Sequence, residues 1–252
     1  MKRLFYILLS ILLLVGCSKD LQEEIQYLDQ FWYTNQGGSD DPIIFPHEID
    51  FDSFYRIEGL EGRFRACAVP KTLLDQKTTR ALSLSILHYP MNYIILAYNY
   101  YDEPVRIVYE NSPLHRELAA RKDAAAELVE VFEKTSIDMV TGLEYATSYE
   151  SIMLCDEMFL EYFLGSGIVK GLDSGSNKTR LAAAVTKKRD ERLGDSSLNS
   201  SALTLIPLAY MSERLGLGVR FSDDVVSTMH SFTLRDDLFK ITLNYNDLNK
   251  LP

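Results

Sequence analysis

The run from Leu118 to Lys134 constrains the fold most. No glycine or proline interrupts it. Leu118, Ala125, Leu128 and Phe132 recur at helical spacing on one face, with Ala124 and Val131 beside them. Glu117–Arg121 and Glu130–Lys134 stand four apart with the acid first, the order that supports a helix. An apolar stripe of this kind has to be buried against another element, so the chain needs partners for it.

The sequence offers those partners as more helices. Thr78 to Tyr89 opens on a capping threonine and is stopped by Pro90. Ser151 to Leu164 carries Ile152, Cys155, Phe159, Tyr162 and Phe163 as its apolar side, with Asp156, Glu157 and Glu161 expected in solvent. Arg180 to Leu193 comes after the Gly- and Ser-rich loop Gly165 to Thr179, with Lys187, Lys188 and Arg189 expected on its outer side. Ser197 to Leu215 holds Pro207, which predicts a kink or two abutting helices, and Gly216 and Gly218 end it. Ser222-Asp223-Asp224 caps a last helix through His230. Alternation at Phe239, Ile241, Leu243 and Tyr245 predicts a minor C-terminal strand. The expected class is mainly α, built of packed helix pairs, with a short superhelical array as one way to arrange them.

The first residues do not belong to that fold. Lys2-Arg3, the apolar run Leu4 to Val15 and a small residue at Gly16 have the layout of a secretory signal. The run is short for a bilayer, which asks about 20 residues of a spanning helix. A polar stretch, Ser18 to Glu24, comes at once after it. Leu21, Ile25, Leu28 and Trp32 have helical spacing, or else Phe31-Trp32-Tyr33 pack on the domain. Gly37-Gly38, Asp40-Asp41, Pro42 and Pro46 read as linker. The expected division is a signal at 1–16, a tether and linker at 17–46, and a globular domain at 47–252.

Leu14-Val15-Gly16-Cys17 resembles the bacterial lipobox without mismatch. That resemblance implies cleavage before Cys17 and a diacylglycerol on its thiol. Ser18 resembles the outer-membrane sorting pattern, and Lys19-Asp20 with Glu23-Glu24 resembles an acidic surface-export tag of Bacteroidetes lipoproteins. The segments Thr78 to Leu82, His88 to Pro90 and Arg121 to Val129 resemble Bacteroidetes envelope lipoproteins of unknown function. The likeness implies a mainly helical extracytoplasmic domain on the outer membrane, facing periplasm or cell surface. It implies no reaction.

Composition sets the remaining bounds. Hydrophobic residues at 46% and aromatics at 11% supply a real core. Net charge is −10, and loss of Lys2 and Arg3 takes the mature chain to −12. That argues against nucleic acid and against docking on anionic lipid heads, both of which want Lys/Arg clusters. Beyond Cys17 only Cys67 and Cys155 remain. They form either a disulfide or two separate buried thiols, and their apolar settings favour thiols.

The sequence holds no HExxH, no Gly-x-Ser-x-Gly and no Cys-His signature. His47, Glu48, Asp50 and Asp52 suggest a metal site, but strand alternation sends them to opposite faces, so no metal is expected. Tyr93, Tyr98, Tyr100, Tyr101 and Tyr109 suggest a sugar platform, against the plainer role of half-buried core. Gly171 to Thr179 lacks the glycine that a phosphate loop places before its lysine. His115 is expected on the surface at a helix start. Acid pairs such as Asp156-Glu157 point in different directions on one helix. No catalytic residue and no cofactor are expected. The reading is a membrane-anchored envelope lipoprotein that binds or scaffolds an envelope protein or glycan. The alternative is an envelope enzyme acting on glycan or peptide through scattered carboxylates.

Overall fold

The computed structural model describes residues 32, 36–45, 56–57, 59–97, 100, 102–135, 148–194 and 204–232, excepting the side chains of 96, 97, 148–155 and 232. Cys17, the cluster from His47 to Asp52, Tyr98, Tyr101 and the alternating stretch from Phe239 to Tyr245 lie outside these residues. Among the described residues there are ten α-helices and no strand. They are α1 (Gly59–Ala66), α2 (Lys71–Gln76), α3 (Thr79–Ser85), α4 (Asp102–Asn111), α5 (Pro113–Ala120), α6 (Ala124–Lys134), α7 (Ser148–Gly165), α8 (Gly175–Gly194), α9 (Ile206–Arg214) and α10 (Asp223–Phe232). Two 3-10 turns, Ile86–His88 and Asn92–Ala97, join α3 to α4. The mainly α class of packed helix pairs is what the periodicity predicts.

Helix α7 is the hub. It packs on α9, on both 3-10 turns and on α4. A second line of packing runs from α3 to α6 to α8, and α9 holds α10. Every residue from Glu157 to Gly165 is buried, so this half of α7 has no solvated side. The α7–α9 crossing is close because Gly165 lacks a side chain. A Cβ there would lie 2.7 Å from the Tyr210 ring and 3.0 Å from the Met211 Cα. Gly165→Ala should therefore cost about 1–3 kcal/mol by overpacking, read as a lower urea midpoint. An unchanged midpoint would mean the two helices are not in contact there.

The clearest predicted helix is in fact two. The chain breaks at Arg121 to Asp123, between α5 and α6. Local propensity favours continuity here, and tertiary bonds override it. The Arg121 guanidinium donates to Lys77 O at 2.7 Å and to Leu74 O at 2.8 Å, capping the end of α2. Asp123 accepts from Thr79 Oγ1 at 2.8 Å. The two predicted ion pairs are present, Glu117–Arg121 at 3.2 Å and Glu130–Lys134 at 2.6 Å.

Two other boundaries shift, and one holds. Gly175, Ser176 and Asn177 begin α8, so the loop after α7 ends earlier than its composition predicts. Pro207 stands in the first turn of α9, where no N–H is missed, so it starts a helix rather than kinking one, and the predicted stretch before residue 204 lies outside the described residues. Gly216 at φ +59° ends α9, with its N–H on Glu213 O and that of Leu217 on Ser212 O. Thr78 and Ser222 cap α3 and α10 as predicted.

The stretch expected as linker is packed into the domain. Trp32, Ile43 and Phe45 are core residues. The buried Lys77 ammonium donates to the carbonyls of Gly37, Gly38 and Asp41 at 3.2, 2.7 and 3.0 Å. Ser85 Oγ accepts from Ile43 N at 2.8 Å, and Gln36 exchanges two hydrogen bonds with the Ile44 backbone. A glycine- and proline-bearing composition fits these tight carbonyl-out turns as well as it fits a tether.

Candidate functional site

Four charged side chains meet inside the protein between α7 and α8. Glu157 and Glu161 stand one turn apart on α7, and Lys188 and Arg192 one turn apart on α8. Lys188 Nζ reaches Glu157 at 3.0 Å. Arg192 Nη2 reaches Glu157 at 3.2 Å and Glu161 at 2.6 Å. None of these side chains is more than 6% exposed. Lys188 also donates to Thr135 O and lies 4.8 Å from the Phe132 ring centroid, while Arg192 Nη1 donates to Thr204 O. The quartet thus ties the end of α6 and the start of α9 to the α7–α8 pair.

This corrects the solvated positions expected for Glu157, Glu161 and Lys188. An amphipathic reading put them outside because charges usually go there. The signal that locates them is the unbroken apolar run around them, Met158 to Leu160 and Tyr162 to Leu164, which leaves α7 no outer face. Acids on such a helix must be paired, and Lys188 and Arg192 at matching spacing are the mates. The charges balance, two against two. Burial pushes the Glu161 carboxyl up, to about 7, against the pull of the Arg192 guanidinium and with the repulsion of Glu157. Glu157 Oε2 has no hydrogen-bond partner among the described residues. All four members of the cluster are buried. Its chemistry is positional, since sliding α7 along α8 by one residue would separate every pair.

His115 is the second correction. It is fully buried, not on the surface. Nδ1 lies 2.8 Å from Ser112 Oγ, the hydroxyl that caps α5. Its ring meets Tyr89, Phe159 and Phe163 edge to face at centroid distances of 4.8, 5.7 and 5.4 Å. Phe45 and Trp32 continue this aromatic file. Burial holds the imidazole neutral, with its pKa lowered to about 3. The unfolded chain takes a proton near 6.5, so this contribution to stability is complete above pH 6.5 and declines as pH falls towards 3. Glu161 acts with the opposite sign, since its contribution is complete below 4.5 and is lost as pH rises through about 7. His115→Phe should remove only the first slope. Urea titrations of both proteins between about pH 7 and pH 4 should diverge steadily. Parallel curves would mean that His115 is solvated.

The remaining candidates separate in space. Cys67 is a free, buried thiol, and burial raises its pKa. Tyr93 accepts from Arg63 at 2.5 Å and packs on the core with Tyr109, leaving Tyr100 as the exposed ring of the described three. Asn177 donates to Gly171 O, so the glycine-rich loop is closed on itself. Among the described residues no cluster of three His, Cys, Asp or Glu side chains could hold a metal.

What the surface does offer is a pair of clefts on either side of the irregular segment Gly216 to Phe221. The larger, about 750 Å³, lies against α8. Ala182, Ala183, Leu217 and Val219 are its apolar lining, and Lys187, Arg189 and Arg220 its charged lining. The smaller, about 470 Å³, lies over α9 and α10, with Val219, Phe221, Val226 and Met229 as its apolar wall and Glu213 at its edge. Glu213 pairs with His230 at 2.9 Å. Arg189 Nη1 donates to Arg220 O, which fixes the segment against α8. Sequence reading missed these clefts because they join residues from three elements with no shared motif. No protein-family model, curated protein or solved structure matches the chain.

Proposed function

We propose that this protein is an envelope lipoprotein, tethered to the outer membrane through Cys17, whose helical domain binds a partner. The observation that carries the anchor is the sequence Leu14-Val15-Gly16-Cys17 at the end of the signal-like apolar run. Two acyl signals hold a protein on a bilayer stably where one does not. Among the described residues no helix is long and apolar enough to cross a membrane. The partner role is supported by the two clefts beside Gly216–Phe221, whose linings mix apolar and charged side chains. The charged quartet supports the same reading, because its ionisable groups converge in the interior rather than on a cleft.

The anchor is tested by Cys17→Ser. The variant should lose labelled acyl chains and leave the membrane pellet after an alkaline wash, while the wild type keeps both. A variant that still carries label and still pellets would make the apolar run an uncleaved anchor and end the lipoprotein reading.

A further inference from the structure

We infer that the larger cleft, between α8 and Gly216–Phe221, docks an acidic peptide segment of a partner protein. The inference rests on the binding role proposed above and gives its partner a chemistry. The cleft is electrostatically out of keeping with its chain. The protein carries a net charge of −10, yet the charged residues lining this cleft are Lys187, Arg189 and Arg220, with no carboxylate among them. Arg189 is matched by the neighbouring Asp190 at 2.7 Å, and Lys187 meets Glu191 only loosely, at 3.7 Å. Arg220 has no carboxylate partner among the described residues.

An unmatched Arg220 and a loosely paired Lys187 beside apolar side chains select an occupant with both properties. Carboxylates would answer Arg220 and the loosely held Lys187, and Arg220 suits them best because its planar fork takes a carboxylate with two parallel bonds. Aliphatic side chains between those carboxylates would cover Ala182, Leu217 and Val219. A purely ionic ligand would leave those apolar side chains wet, and a neutral apolar one would leave the cations unanswered. Gly218 adds room in the lining, since it has φ +74° and nothing stands within 4 Å of where its Cβ would be.

The test uses the full chain in detergent and a short fluorescein-labelled peptide alternating Glu and Leu, with a Lys/Leu peptide and phosphatidylglycerol vesicles as the competing probes. The double variant Lys187→Glu, Arg220→Glu reverses charge in the lining. Arg65→Glu with Lys122→Glu makes the same change in net charge elsewhere. The Glu/Leu peptide should bind saturably, more weakly as salt rises, and at least tenfold more weakly to the lining variant than to the charge-matched control. Absence of binding, equal loss in both variants, or preference for the Lys/Leu peptide would overturn the proposal. So would vesicle binding or self-association that the lining variant alone abolishes, because the cleft would then serve a membrane or a second copy. Acyl labelling of Cys17 in the same preparation separates these failures from a failure of the anchor.

Discussion

Arg192→Met should cost this protein about 3–5 kcal/mol, the penalty for leaving buried charges uncompensated. The substitution keeps much of the volume and removes the guanidinium that holds Glu157 and Glu161. Both carboxylates then face Lys188 alone, and Thr204 O loses its donor. Chemical denaturation at about pH 8, above the raised Glu161 pKa, is the measurement. The deficit should shrink on acidification, because protonating the stranded acids relieves it. Replacing all four members by apolar residues of similar size should recover most of the loss, since a buried ion network is weak as a source of net stability. A single variant within about 1 kcal/mol of wild type under those conditions would show that water reaches the quartet.

Phe45→Ala should also cost about 3–5 kcal/mol, the usual range for deleting a buried phenyl ring. Phe45 is fully buried, 5.4 Å from the Tyr89 ring centroid and 6.1 Å from that of Trp32. Were the stretch from Thr34 to Pro46 only a tether, the loss would be near zero. A chain truncated to begin at Pro42 should likewise unfold at lower denaturant. It lacks Trp32 and the carbonyls of Gly37, Gly38 and Asp41 that surround the buried Lys77 ammonium. A truncated chain as stable as the whole would confine the fold to the residues from Pro42 onward.

Both effects arise where local sequence misleads. Helices were legible because their signals are local. Thr78, Ser222, Gly216 and the apolar stripe of α6 each act within a turn or two. Long-range partners were not. The break at Arg121 depends on carbonyls at Leu74 and Lys77, in α2 and just past its end. His115 looks like a surface histidine until Tyr89, Phe159 and Phe163 close round it. Glu157 and Glu161 look solvated until α8 brings Lys188 and Arg192. Their burial was readable in outline, from the apolar residues on every side of them, but not the identity of their mates. The clefts had no sequence signature at all, because Ala182, Leu217 and Arg220 meet only through the turn at Gly216 and Gly218.

The mass of the mature N-terminus tests the central claim most directly. The full chain is expressed in a Gram-negative host, purified from its membranes and analysed intact. The anchor reading predicts a chain that lacks residues 1–16 and carries a diacylglycerol and further acyl mass on a peptide beginning at Cys17. A chain that retains Met1, or one cleaved elsewhere with an unmodified Cys17 thiol, would contradict it.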